Sequence, residues 1–156
     1  MMDLKEAMKE RHSIRQYEDR PLEESVIAEL ENEIEACNKE SGLYIQLVKD
    51  EPKAFDSFMA HYGKFSGVKN YIAMIGKKGP DLDEKCGYYG ERLVLKAQQL
   101  GLNTCWVAMN QQKFLFTLNG NKVSAKAGFG FYTKIDLGIA KYHFELGAGS
   151  EHFEWA

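Results

Sequence analysis

The chain has 156 residues, 44% of them apolar and 28% charged, with a net charge of −3. That length suits one domain with a real core, and the balance of apolar to charged residues excludes a disordered chain. The slight acidity offers no counterion-release engine for binding nucleic acid, and no apolar run approaches the roughly 20 residues of a membrane span.

The first expected element is a short helix to about Arg11, capped by Asp3, with Leu4, Ala7 and Met8 on one side. An extended polar stretch, His12 to Tyr17, follows it. Pro21 suits the first turn of a second helix over Leu22–Asn38, whose stripe is Leu22, Val26, Ile27, Leu30 and Ile34. Leu43–Lys49 and Asn70–Ile75 read as strands, with a short helix over Ala54–His61 and a loop over Tyr62–Gly67 between them. A long helix over Leu82–Leu100 stops at Gly101, which supplies the left-handed residue such an end prefers. Leu102–Ala108 reads as an apolar strand. Asn119-Gly120 joins Lys113–Leu118 to Lys122–Lys126 as a hairpin, and a last helix spans Thr133–Leu146. The hairpin makes one pairing antiparallel, so the expected class is α+β, a mixed or antiparallel central sheet flanked by helices. One domain spans 1–156.

Three cysteines, Cys37, Cys86 and Cys105, stand at wide spacing, with neither zinc-site nor redox spacing among them. With no secretory leader at Met1–Glu6, the expectation is a reduced, cytoplasmic protein. The histidines form no HxxxH or HExxH pair, so no metal is expected. His143, on the apolar face of the last helix, reads as a satisfied core or interface residue, and Cys105 as an inert thiol in a strand.

The arginines are the uneven feature. Only four occur, and Arg11, Arg15 and Arg20 fall within ten residues. Arg11, Ser13 and Arg15 could converge on one phosphate, because guanidinium forks bind its oxygens bidentately; the alternative is a solvated turn whose arginines pair with nearby acids. No GxGxxG or GxxxxGK[ST] loop competes for that role. Two further clusters combine cations with amides or aromatics: Asn110-Gln111-Gln112-Lys113, and Lys64 beside Phe65. Amides present both donors and acceptors, which suits a ring edge bearing carbonyl and N–H groups; an ordinary polar turn would look the same.

Four segments together resemble the nitroreductase family of flavoproteins. Arg11-His12-Ser13-Ile14-Arg15 is similar to that family's opening motif, which binds the phosphate and ribityl chain of FMN. Gly101-Leu102-Asn103-Thr104-Cys105-Trp106 resembles its Gly-Leu-Gly-Thr-Cys-Trp element. Met109-Asn110-Gln111-Gln112-Lys113 resembles its Asn-x-Gln segment, and Ile135–Ala140 its Asp-x-Gly-Ile-Ala helix. The branch with a late Asn-Gln segment carries a further stretch ending in Ala-Pro-Thr-Ala before it. Here Ala108 runs straight into Met109, so a segment is expected to be missing between 108 and 109.

The resemblance implies an FMN-dependent oxidoreductase that passes a hydride from NADH or NADPH through the flavin to a nitroaromatic, quinone or similar small-molecule acceptor. Arg11 and Arg15 would neutralise the phosphate, with His12 in the same motif. Ser13 would donate to the phosphate or ribityl chain, and Asn110 and Gln111 would fix the ring edge. Lys113 and Lys64 would stand near the pyrimidine carbonyls or the phosphate. No side chain need act as catalytic acid or base. A homodimer is implied in the same way. An FMN-binding module without efficient turnover, or a non-flavin interaction domain, remains open at this point.

Overall fold

The computed structural model describes residues 2–55, 63–107 and 111–156. Helix α1 is Leu4–Glu10, and the Asp3 carboxylate accepts from the Glu6 amide at 2.8 Å, as its capping position predicts. Helix α2 is Glu24–Ser41. It starts after Pro21 rather than on it and runs three residues past Asn38, to a left-handed Gly42 at φ +73°. Two polar side chains make that exit. Ser41 donates to the Cys37 carbonyl and accepts from the Leu43 amide. The Asn38 amide pairs with both backbone groups of Ile45, at 3.0 and 2.7 Å, standing in for a strand partner.

Strands β1 (Gln46–Val48) and β2 (Tyr71–Ala73) pair antiparallel, with Leu47 opposite Ile72. A single 3-10 turn, Pro52–Phe55, covers the start of the short helix expected at Ala54–His61; the rest of that helix lies outside the described residues. Helix α3 is Leu82–Gln99, and Gly101 takes φ +78° just beyond it. Strands β3 (Phe114–Asn119) and β4 (Lys122–Ala127) form the hairpin. Asn119 pairs with Lys122, so the two-residue loop is Gly120-Asn121, one position later than the Asn-Gly reading. The left-handed φ of +64° falls on Gly120, the first loop position, where a II′ turn needs glycine. Helix α4 is Thr133–Ala148, and β5 (Glu154–Trp155), which the sequence did not announce, pairs parallel with β4.

The class is α+β, as expected, but the strands form two small sheets, β1-β2 and β3-β4-β5, in place of one central sheet. Leu102–Ala108 is not a strand over its described part. Its backbone contributes one parallel bridge, Thr104 to Ser13, which no further pairing among the described residues extends into a ladder.

Two cores hold the helices. Ile34, Cys37, Leu43, Ile45, Cys86 and Leu93 bury α2 and α3 against β1 and β2. Ala7, Leu95 and Tyr142 bury α1 against α3 and α4. Leu93 and Leu95 are wholly buried, each contributing about 2 kcal/mol of transfer free energy. Between α3 and α4 the backbones touch. A Cβ at Gly87 would lie 2.0 Å from the Ile135 carbonyl oxygen, and one at Gly138 would lie 2.1 Å from that of Glu84. Arg92 reaches back to Glu33 and Glu40 of α2, at 2.5 and 2.8 Å. Phe116, Phe144, Phe153 and Trp155 form an aromatic cluster between the second sheet and α4.

Candidate functional site

The arginine stretch leaves α1 in extended conformation, with Arg11 at φ −65° and ψ 130°. It is held from two sides. The Ile14 amide donates to the Thr104 carbonyl, while Ser66 accepts from the Tyr17 amide at 3.0 Å and donates to the Arg15 carbonyl at 2.9 Å. The Tyr17 hydroxyl donates to the Ile14 carbonyl at 2.5 Å and locks the curve. Half-burial beside Cys105 pushes the Tyr17 phenol up to about 12, against a smaller opposite pull from Arg15. It therefore stays a neutral donor throughout the physiological range.

Along this stretch every third residue turns inward: Arg11, Ile14 and Tyr17 are half-buried, while His12, Ser13 and Arg15 are exposed. Arg20 pairs with Glu23, and Arg92 with Glu33 and Glu40. Arg11 and Arg15 have no carboxylate within salt-bridge distance among the described residues. Arg11 Nη1 is moreover buried without a hydrogen-bond partner among the described residues, as is Thr104 Oγ1 on the chain that bridges to Ser13. A buried guanidinium nitrogen that lacks an acceptor costs free energy unless an anion supplies one. His12 Nδ1 meets only the Glu10 carbonyl, at 3.1 Å.

The bridge between Gln16 and Ser66 brings the neighbourhood of Lys64 to this stretch. Lys64 is exposed, at a left-handed φ of +54°. The amide cluster is built elsewhere. Asp136, in the first turn of α4, accepts from the Gln111 and Gln112 amides through one oxygen, at 2.7 and 2.8 Å. Those bonds hold Gln112 in the left-handed region, φ +46°. The Gln111 side chain lies against Gly130, and the Lys113 carbonyl accepts from the Gly128 amide. Lys113 itself is exposed. Asn110 lies outside the described residues. No hydrogen bond or ion pair among the described residues joins this cluster to Arg11, Ser13, Arg15 or Lys64.

Sequence reasoning missed Glu91. It is 2% exposed on α3, and its carboxylate accepts from Trp106 Nε1 at 2.8 Å and meets His143 Nε2 at 2.9 Å. His143 is thus a satisfied histidine, as its place on α4 suggested. Gly90 lets the Trp106 ring lie directly on α3, since a Cβ there would come within 2.3 Å of it. An acid one turn from a glycine, on the inner face of a helix, was the available signal. Cys105, expected inside a strand, is half-buried in irregular chain and donates to the Trp106 carbonyl.

Beneath the arginine stretch opens a cavity of about 930 Å³. Ile14, Gln16 and Tyr17 line it, but Arg11, Ser13 and Arg15 do not. The residues that line the cavity and the arginines thus share one extended segment. Among the described residues no group of His, Cys, Asp and Glu is arranged to hold a metal ion, and no helix is long and apolar enough to cross a membrane.

A protein-family model described as "Putative TM nitroreductase" matches residues 3–109 and 107–148. The two matched stretches meet at 107–109, and together they take in every segment discussed above except β5. Comparison with curated proteins and with solved structures returned no significant match.

Proposed function

The chain belongs to the nitroreductase family, and from that premise we propose that it is an FMN-dependent oxidoreductase whose arginine stretch holds the flavin phosphate. The observation that carries this reading is the pair Arg11 and Arg15, free of carboxylate partners among the described residues, with Arg11 Nη1 buried and unpaired. A phosphate there would satisfy the orphan nitrogen and neutralise two like charges at once. Ser13, exposed between them and fixed through the Thr104 bridge, would donate to the phosphate or the ribityl chain. His12 extends the same polar edge, and Lys64 would add positive charge from the adjoining loop. Asn110 and Gln111 would meet the ring edge, the latter positioned by Asp136, with Lys113 beside them.

Bound FMN would accept a hydride from NADH or NADPH and deliver electrons to a nitroaromatic, quinone or similar acceptor. The chain's own contribution is binding and orientation. Asp136 fixes the backbone that carries the amides, and Glu91 fixes Trp106. The free cysteines suit a reducing, cytoplasmic setting, and a homodimer would complete the flavin's surroundings.

The test is an FMN titration of the purified chain followed by nicotinamide oxidation with a nitroaromatic acceptor. Saturable yellow uptake that Arg11→Ala with Arg15→Ala abolishes in a folded protein supports the reading. A folded chain that takes up no FMN refutes it. The split family match favours a second reading, in which a segment is absent at 108/109 and the chain binds FMN without efficient turnover. Steady-state turnover of the FMN-loaded protein rules that reading out.

A further inference from the structure

We propose that the outer edge of β3 is where two copies of this chain pair, strand against strand, into one continuous sheet. The pairing takes the homodimer from the reading above and gives it a surface, and the sheet geometry carries it without the flavin. In the order β3-β4-β5, β3 has a neighbour on one side alone. Asn119 pairs with Lys122, and the Gly128 amide donates to the Lys113 carbonyl, so the odd-numbered residues of β3 bond to β4. The backbone N–H and C=O groups of Phe114, Phe116 and Leu118 therefore point the other way, and no backbone bond among the described residues meets them. Native sheets guard such an edge with lysine, proline, a bulge or brevity. Phe114–Asn119 has no charge and no proline, pairs with β4 without a bulge and is six residues long. Leu115 and Leu118 on it are 65% and 69% exposed.

A second copy is the partner this edge fits, because the strand complements itself. With a two-fold axis through Phe116, perpendicular to the sheet, Phe116 faces the partner's Phe116 and Phe114 faces the partner's Leu118. Every outward N–H and C=O then meets its complement, and both α4 helices lie on one side, so the Phe116–Phe144 stack of one copy adjoins that of the other. On the opposite face Leu115 lies against the partner's Thr117. Lys113 meets the partner's Asn119, so no charge opposes a like charge. Phe129 and Phe131, 97% and 81% exposed, stand by that end of β3, since Gly128 is bonded to Lys113 and Gly130 lies against Gln111. Aromatic side chains bury about 150–250 Å² each. These two, with Phe114, Tyr132 and the leucines, approach the roughly 800 Å² that one side of a standard interface buries. Pairing also closes the sheet. The strand order becomes β5-β4-β3-β3-β4-β5, and its outer edges are the two-residue β5 strands, guarded by their shortness.

The test is sedimentation equilibrium of the full chain without FMN, at micromolar concentration. The parent should show twice the chain mass. Leu118→Pro removes one outward N–H and leaves the bonds to β4 whole, so it should weaken the dimer at least tenfold. Leu118→Lys, which adds the missing edge charge, carries the same expectation should L118P not fold. Tyr44→Ser, at an exposed ring beside β1, should stay dimeric. Under mild oxidation the double variant L115C/T117C should form a covalent dimer, because the two positions face each other across the axis within disulfide reach. L115C alone should not, since it meets its own copy only on the diagonal. A monomeric parent, assembly beyond a dimer, a dimer unmoved in a folded Leu118 variant or lost in Y44S, cross-linking of L115C alone, or no L115C/T117C cross-link would overturn the pairing. The readout is separate from the flavin: a monomer that binds FMN loses the edge and keeps the proposed function, and an edge dimer that binds none does the reverse.

Discussion

Replacing Gly138 by alanine tests the claim that α3 and α4 meet backbone to backbone. The new Cβ would start 2.1 Å from the Glu84 carbonyl oxygen and 2.6 Å from the Tyr88 nitrogen, where ordinary contact begins near 3.4 Å. Neither obstacle is the tip of a flexible side chain, so the helices themselves must part. Overpacking of this kind costs about 1–3 kcal/mol, and rigid backbone on the far side puts this site at the upper end. Alanine returns about 1 kcal/mol of helix propensity. The net loss is about 2 kcal/mol, which lowers Tm by about 4–8 °C in a chain of this size. Gly147 provides the control within the same helix, since a Cβ there meets nothing within 4 Å. Gly147→Ala should hold or raise Tm, gaining at most about 1 kcal/mol. Melting curves by circular dichroism on both variants decide the matter. A G138A midpoint equal to or above the parent's refutes the close crossing. The double variant G87A/G138A should cost less than the sum of the two, because helices parted for one methyl leave room for the other.

Glu91→Gln keeps the volume but turns one acceptor into a donor facing Trp106 or His143, so we expect a loss of about 1–3 kcal/mol in urea unfolding and a shifted tryptophan emission. An unchanged denaturation midpoint would show that the buried carboxylate is not bearing both bonds. Burial pushes the Cys37 thiol up to about 11 and the Tyr17 and Tyr142 phenols up to about 12. The folded state then keeps protons that the unfolded chain, titrating near 8.5 and 10, gives up. Stability is full below pH ~8.5 and falls as pH rises towards about 12. A Tm that stays flat from pH 8 to 11.5 contradicts this sign. Thiol labelling at neutral pH should reach half-buried Cys105 first, while Cys37, at 0% exposure, reacts only on unfolding. Equal rates at the two would remove Cys37 from the core.

The sequence was most legible where one local signal decided the outcome. Asp3 capped α1, Gly101 ended α3, and the Asn119-Gly120 pair gave the β3-β4 hairpin, though the loop closed on Gly120-Asn121. Legibility failed where the deciding partner lay far away in the chain. Leu102–Ala108 has strand composition, but among the described residues it pairs through the single bridge to Ser13, and Glu154-Trp155 looks like a polar tail until β4 is beside it. The extra turn of α2 depends on the Asn38 and Ser41 side chains, residues that ordinarily mark a helix boundary and here satisfy the turn beyond it. At the site, the arginine spacing was visible, whereas the orphaned Arg11 nitrogen and the two-amide grip of Asp136 are facts of three dimensions. The abundance of glutamates likewise hid Glu91, whose one signal in the sequence is its place near glycines on the inner face of α3.

The parallel pairing of β5 with β4 has a consequence in time. Parallel neighbours need a crossover, and here the crossover is the whole of α4. The β3-β4 hairpin closes locally, within microseconds, whereas β5 can add its two residues only after α4 has formed and docked. Until then one flank of Phe116 and Phe144 is uncovered, because Trp155 and Phe153 complete that cluster from the last strand and its approach. The two residues of β5 thus close the aromatic side of a hairpin that is otherwise complete without them.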